Sequence, residues 1–291
     1  MGARRVRAGV LAAAVIAGIA LAGCGGSPSG DGASGDSSER LDVVAGFYPL
    51  AFAASEIGGG DVSVSNLTPA GAEPHDLELS PRDVEQVRSA DLVLYLGGGF
   101  QPALEDAIGE AEGRAVDALA GLELSGEDPH VWLDPARYER IAARIGEALG
   151  RPETARAFSE RLTALDAEYE AGLRDCERRE IVTSHAAFGY LAERFGLEQI
   201  AITGLAPEAE PAPRELEHVA RLARERGATT IFFETLVSSE LAETVAREIG
   251  AETAALDPLE GLTGEEAKGG EDYFSLMRRN LAVLREALGC R

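Results

Sequence analysis

Short apolar runs alternate with amphipathic stretches along most of this chain. A run at residues 41–46 predicts a strand, and the three-to-four-residue spacing over residues 49–57 predicts a helix. The alternation continues to a final amphipathic helix over residues 273–288. Strands and helices that alternate in this way form parallel sheets covered by helices. The pattern therefore predicts an α/β fold.

One amphipathic pattern is much longer than the others. It runs from Pro152 to about Arg174, and neither glycine nor proline interrupts it before Gly172. Because it lies between two arrays of strands and helices, we predict that it is a stiff connector between two lobes. The predicted organisation is an N-terminal α/β lobe at residues 41–150, a linker helix at 151–176 and a C-terminal α/β lobe at 177–291.

The first residues have the pattern of an export signal. Three arginines, Arg4, Arg5 and Arg7, precede an apolar run over residues 8–22. That run is shorter than the ~20 residues that a membrane span needs, so we interpret residues 1–23 as a signal peptide. The run ends in Leu-Ala-Gly-Cys24, which resembles the bacterial lipobox. The alternative is an ordinary secretory signal with an incidental cysteine.

The lipobox interpretation implies that Cys24 is lipidated and anchors the protein to the cell membrane, outside the cytoplasm. Residues 24–40 are mostly Gly, Ser and Asp, with almost no apolar side chain. Such a segment cannot bury a core, so we predict a flexible tether.

The composition is acidic, with 27 Lys and Arg against 50 Asp and Glu and a net charge of −23. Nucleic-acid binding depends on basic residues that neutralise phosphates, so a nucleic-acid partner is not expected.

Two cysteines remain beside Cys24. Outside the cytoplasm, Cys176 and Cys290 are a candidate disulfide. The alternative is two buried thiols.

Three of the four histidines lie where a predicted strand gives way to a turn or a helix. These are His75, His130 and His185, and Asp257 follows a fourth strand predicted at residues 253–256. Ligands bind at the carboxyl ends of strands in open α/β sheets. Three imidazoles and one carboxylate form a tetrahedral set that suits Zn²⁺. The sequence therefore predicts a metal site between the two lobes.

The sequence offers alternatives for the fourth ligand. Asp257 precedes Pro258, so it could instead open a turn, and Glu73 is an alternative donor. His185 begins a helix predicted from Ala186, whose dipole would disfavour the imidazolium. His218 lies among charged residues of a predicted helix, where a solvated position is expected. Candidate hydrogen-bond partners of the ligands are Glu73, Asp76, Asp134 and Glu234, with Asp134 more typical of a helix cap.

Together these motifs resemble the metal-binding lipoproteins of ABC importers for zinc and manganese, most closely the zinc branch (ZnuA-type). The segments that carry the resemblance are Glu73-Pro-His-Asp76, Pro129–Pro135, Thr183–Tyr190, Gly204–Pro211 and Leu256–Leu259. The resemblance implies two α/β lobes joined by one long helix, a metal ion between them and delivery to a membrane permease. It implies the ligands His75, His130, His185 and Asp257.

Manganese-branch members tend to have a carboxylate at the position of His185, so Zn²⁺ is the expected ion, with Mn²⁺ as the alternative. The chain departs from many zinc-branch members because residues 122–128 contain no histidine-rich loop. A surface adhesin on the same fold is a further alternative. A zinc hydrolase is disfavoured, since Asp257 would fill the position that catalytic zinc leaves open for water. We expect a monomer without enzymatic activity.

The lipobox interpretation is tested by replacing the cysteine. Cys24→Ala removes the acceptor of the lipid, so the variant is expected in the soluble fraction, whereas the parent sediments with membranes. Fractionation of expressing cells, followed by immunoblotting, measures the distribution. Membrane association of the variant equal to that of the parent would contradict the interpretation.

Overall fold

The computed structural model describes residues 40–291. The predicted signal peptide, Cys24 and all of the predicted tether except Arg40 lie outside this range. The N-terminal lobe contains β1 (Leu41–Ala45), α1 (Tyr48–Gly58), β2 (Val62–Asn66), α2 (Pro81–Ser89), β3 (Leu92–Tyr95), α3 (Pro102–Ala107), β4 (Arg114–Asp117) and α4 (Pro135–Leu149). Single 3₁₀ turns occupy Gly59–Asp61, Ile108–Glu110 and Val131–Leu133.

The long helix α5 (Pro152–Leu173) leads into the C-terminal lobe. This lobe contains β5 (Glu180–Thr183), α6 (Gly189–Phe195), β6 (Glu198–Ala201), α7 (Pro213–Glu225), β7 (Thr230–Phe233), α8 (Glu240–Ile249), β8 (Glu252–Ala255), α9 (Gly264–Gly269) and α10 (Tyr273–Leu288). No helix among residues 40–291 is both long and apolar enough to cross a bilayer.

The two lobes have the same sheet topology. The strand order is β2-β1-β3-β4 in the first lobe and β6-β5-β7-β8 in the second, and every pairing is parallel. The central strands are buried on both faces, as the consecutive pairs Val43 and Val44 in β1 and Ile181 and Val182 in β5 illustrate. The predicted fold class, two parallel sheets flanked by helices, is confirmed.

Capping residues set several helix ends, including the one at Asp134 that the sequence indicates. Ser80 and Asp83 form a reciprocal capping box at the start of α2. The side chain of Asp134 accepts a hydrogen bond from Ala136 N (2.9 Å) at the start of α4, and Gly150 ends that helix with a φ of 67°. The helix predicted from Ala186 begins instead at Gly189. The short helix α9 has no counterpart in the sequence prediction.

Helix α5 packs against both lobes. Its buried residues repeat every three or four positions (Ala155, Phe158, Leu162, Leu165, Tyr169 and Leu173) and face α4 on one side and α10 on the other. The Tyr169 hydroxyl donates a hydrogen bond to the Met277 carbonyl of α10 at 2.6 Å. The connector is therefore part of the hydrophobic core rather than an exposed spacer.

Direct hydrogen bonds also join the two lobes near their facing loops. The indole Nε1 of Trp132 donates to the Pro258 carbonyl at 2.8 Å, and the Tyr273 hydroxyl donates to the Trp132 carbonyl at 2.7 Å. The Gly71 amide donates to the Leu262 carbonyl at 2.8 Å. Trp132, Pro258 and Tyr273 are buried, whereas Gly71 is exposed, so the lobes are joined both in the core and at the surface.

Cys176 and Cys290 form the disulfide that the sequence suggests, with a sequence separation of 114 residues. Cys176 lies just after the end of α5. Cys290 follows Gly289, the residue that caps the end of α10. A pair of buried thiols is therefore the wrong alternative. A disulfide of this kind is typical of proteins outside the cytoplasm.

Removal of this disulfide is expected to lower the stability of the fold. Closing a loop of this length restricts the unfolded chain, so the double variant Cys176→Ser/Cys290→Ser should lose roughly 2–5 kcal/mol in free energy of unfolding. Urea unfolding under oxidising conditions measures the difference. Under reducing conditions the parent should approach the variant; equal stability of the two proteins in oxidising buffer would contradict the expectation.

Candidate metal centre

Four polar side chains converge where the facing loops of the two lobes meet. His75 lies in the loop between β2 and α2, and His130 immediately precedes the 3₁₀ turn Val131–Leu133. His185 follows β5, and Glu260 lies in the loop after β8. These loops leave the carboxyl ends of the parallel strands, which is the usual location of ligands in α/β sheets.

The donor atoms of these four residues all lie within 4.8 Å of one another. The Nε2 atoms of His75, His130 and His185 lie 3.4, 3.1 and 3.3 Å from the same oxygen, Oε1 of Glu260. The Nε2 atoms of His130 and His185 are 3.3 Å apart. Three of the four side chains are buried, and His75 is partly exposed.

These spacings match the edges of a zinc coordination tetrahedron. With metal–ligand distances of about 2.0–2.1 Å, neighbouring ligand atoms of a regular tetrahedron lie about 3.3–3.4 Å apart. Four of the six edges of the cluster fall at 3.1–3.4 Å. The arrangement can therefore hold one small cation with little movement of the side chains.

Carboxylates orient two of the imidazole rings. Nδ1 of His130 lies 2.7 Å from Oδ1 of Asp128, and Nδ1 of His185 lies 2.7 Å from Oε1 of Glu234. The same two oxygens accept the backbone N–H groups of His130 and His185. A carboxylate that accepts from Nδ1 leaves the lone pair of Nε2 free to bind a metal ion.

Burial and hydrogen bonding act in opposite directions on these groups. Burial alone would raise the pKa of the Glu260 carboxyl, but hydrogen bonds with His130, His185 and His75 outweigh it and hold this pKa well below its usual value. For His185, burial lowers the pKa, yet hydrogen bonds to Glu234 and Glu260 raise it to about 10. The helix-dipole argument for His185 assumed a helix that starts at Ala186, but α6 begins at Gly189, so His185 is not the residue before its first turn.

Further hydrogen bonds fix the loops that carry the histidines. The buried amide of Gln101 donates to the Pro74 carbonyl at 3.2 Å, next to His75. The Tyr190 hydroxyl, from α6 of the other lobe, donates to the Asp128 carbonyl at 2.8 Å. A Cβ at Gly189 would come within 2.9 Å of Oδ2 of Asp128, so this close approach of α6 favours glycine.

Asp257, the predicted fourth ligand, lies outside the cluster. Its Oδ1 accepts the Leu259 amide at 2.8 Å, and its Oδ2 accepts the Arg279 guanidinium at 3.1 Å. Both oxygens are therefore engaged, and Glu260 rather than Asp257 lies among the three histidines. This corrects the sequence-based assignment.

The other candidates have different locations. Glu73 accepts the His75 amide through Oε1 (3.0 Å) and lies close enough to Glu260 that burial and this charge raise its pKa to about 8. Asp76 and His218 are exposed. Asp134 caps α4 and pairs with Arg137 and Arg194, so it is not a partner of the metal cluster.

Two residues of the site were not predicted, Glu260 and Asp128. Glu260 follows Asp257 by three residues in the same loop after β8, and Asp128 precedes His130 by two residues. The motif Asp-Pro-His was visible as a signal, because a carboxylate two residues before a histidine can accept both its amide and its Nδ1–H. Glu260 had no such local signal.

Comparison with known proteins gives one consistent family. A family model described as "Zinc-uptake complex component A periplasmic" matches residues 43–287. The zinc-binding protein AdcA of Streptococcus pyogenes is 35% identical over 286 residues, which cover 84% of this chain and 56% of that protein. The zinc-binding lipoprotein AdcA of Streptococcus pneumoniae is 34% identical over 278 residues, which cover 85% and 56%. The chain thus spans about half the length of these relatives.

A solved structure agrees with the sequence matches. The Zn(II)-bound ZnuA-like domain of AdcA from Streptococcus pneumoniae superposes with a TM-score of 0.74 and 35% sequence identity. The match covers 86% of this chain and 99% of that domain. The similarity therefore includes both lobes and the loops between which the cluster lies.

Proposed function

Because the chain belongs to the family of zinc-uptake complex component A proteins, we propose that it captures Zn²⁺ outside the cytoplasm and delivers it to an ABC transporter permease. This family consists of solute-binding proteins and not of enzymes. The observation that carries the proposal is the convergence of three Nε2 atoms on one carboxylate oxygen at distances of 3.1–3.4 Å.

The donor set favours zinc over manganese. Three imidazole nitrogens and one carboxylate oxygen suit Zn²⁺, whereas Mn²⁺ prefers a site richer in oxygen. Four protein donors also complete a tetrahedral shell, whereas catalytic zinc usually keeps one position for water. Binding for transport therefore fits this site better than hydrolysis.

The proposed location is the outer face of the cell membrane. The disulfide Cys176–Cys290 fits an oxidising environment, and a similar protein from Streptococcus pneumoniae is named a lipoprotein. Lipidation of Cys24 would keep the metal-binding lobes close to the permease. A single chain supplies all four ligands, so the site itself requires no second copy.

Zinc affinity tests the assignment of the four ligands. His185→Ala and Glu260→Gln each remove one donor atom of the site. Loss of a residue that only hydrogen-bonds to a ligand weakens metal binding by roughly 10–100-fold, so loss of a ligand itself should weaken Zn²⁺ binding by more than this. Competition with a chelator measures the affinity, and fluorescence of Trp132 reports binding, because its ring lies 5.1 Å from that of His130.

The matched control for these variants is His218→Ala, which changes an exposed histidine outside the cluster. This variant should bind Zn²⁺ as the parent does. The proposed site is wrong if His185→Ala retains the affinity of the parent, or if His218→Ala loses as much affinity as His185→Ala.

Delivery to a permease is tested in the cell that produces the protein. A strain without the gene should grow poorly in chelator-treated medium and take up little radioactive zinc, and the parent protein should restore both. His185→Ala should be produced at the same level but restore neither. Normal zinc uptake in the deletion strain, or full rescue by His185→Ala, would contradict a role in uptake.

A further inference from the structure

We propose that Asp257 is a positioning residue, which holds the turn that presents Glu260 to the metal ion. This inference rests on the proposed function, because it concerns the fourth ligand of the same site. It assigns a role to a buried carboxylate that contacts no histidine of the cluster. The argument depends on the backbone of the turn and on its attachment to α10.

The turn contains an unusual backbone conformation directly before Glu260. Leu259 has a φ of 55° and is the only non-glycine residue among residues 40–291 with a positive φ. Its side chain is fully buried, so solvent exposure does not explain the conformation. The left-handed region is unfavourable for a residue such as leucine, and it persists only where surrounding contacts determine it.

Asp257 makes the contact that stabilises this conformation. Its Oδ1 accepts the amide of Leu259 at 2.8 Å, two residues further along the chain. This is the hydrogen bond of an Asx turn, in which an aspartate side chain bonds a backbone amide two positions ahead. Without it, the buried Leu259 amide would lose this acceptor and the turn would lose its main local constraint.

Helix α10 then fixes Asp257 itself. The amide of Asp257 donates to Oδ1 of Asn280 at 3.0 Å, and Nδ2 of Asn280 donates to the Asp257 carbonyl at 2.6 Å. Arg279 donates to Oδ2 of Asp257 and also pairs with Glu266 of α9. Asp257 and Asn280 are both buried, at 2% and 1% exposure. The turn is therefore anchored in the core of the C-terminal lobe.

The turn is also attached to the N-terminal lobe, through the residue that follows Asp257. The carbonyl of Pro258 accepts the indole N–H of Trp132, whose ring contacts His130. The turn thus has fixed contacts on both sides before it reaches Glu260, whose Oε1 meets all three histidines. A change in the backbone at Leu259 would move this carboxylate away from the tetrahedral position.

A double-mutant cycle tests the inference. Asp257→Ala should weaken Zn²⁺ binding about tenfold when residue 259 is leucine, because the strained conformation loses its support. Leu259→Gly removes the penalty of a positive φ, so in that background Asp257→Ala should cost less than about threefold. Chelator competition measures all four affinities, and thermal unfolding of the metal-free proteins confirms that each variant folds.

The visible absorption spectrum of bound Co²⁺ distinguishes positioning from ligation. Its bands depend on the atoms that coordinate the ion, so saturated Asp257→Ala should reproduce the spectrum of the parent, whereas Glu260→Gln should change it. Asp257→Asn keeps an oxygen that can accept the Leu259 amide, so it should lose less affinity than Asp257→Ala. If Asp257→Ala does not fold, Asp257→Asn and Arg279→Gln carry the test instead.

Arg278 provides the matched control for Arg279. It is adjacent on α10, but it pairs with Glu168 of α5 at 2.8 Å, away from the turn. Arg279→Gln should weaken zinc binding measurably, and Arg278→Gln should not.

Three results would overturn the inference while leaving the proposed function intact. These are parental affinity of Asp257→Ala, an equal loss in both residue-259 backgrounds, or a Co²⁺ spectrum altered as in Glu260→Gln. The last result would make Asp257 a ligand. Failure of the parent protein to bind Zn²⁺ would instead contradict the proposed function, and the inference with it.

Discussion

The structure depends on the meeting of three imidazoles with one fully buried carboxylate, Glu260. A buried charge is costly unless partners of opposite charge or hydrogen-bond donors surround it. Glu260 finds its partners in three histidines, two of which come from the other lobe. The cluster is therefore stable only when both lobes hold their loops at the observed spacing. The core helix α5 and the bond from Trp132 to Pro258 maintain that spacing.

The shared topology of the lobes explains how they supply a single site. Strands β4 and β8 occupy the same position in their sheets. The loop after the first carries His130, and the loop after the second carries Glu260, so equivalent loops provide a nitrogen and an oxygen donor. Trp132 and Pro258 join these same two loops. The same two loops therefore form both the metal cluster and a contact between the lobes.

Much of this architecture follows from local sequence signals. Strand and helix periodicity predicts the two sheets, and Ser80, Asp134 and Gly150 mark helix ends because their side chains or φ angles satisfy terminal backbone groups. The three histidines could be found because parallel strands bring their carboxyl ends together. The fourth ligand could not be predicted in this way. A leucine gives no sequence signal for a positive φ, and the residue that follows Leu259 in this conformation, Glu260, is the carboxylate that lies among the histidines.

The disulfide has a consequence for the C-terminal lobe as a unit. Cys176 and Cys290 enclose nearly the whole lobe in one covalent ring, with their Cα atoms 3.8 Å apart. The two ends of the lobe are thus already adjacent, which is the condition under which circular permutation is tolerated. New termini opened in an exposed loop of this ring would leave the order of its strands in the sheet unchanged.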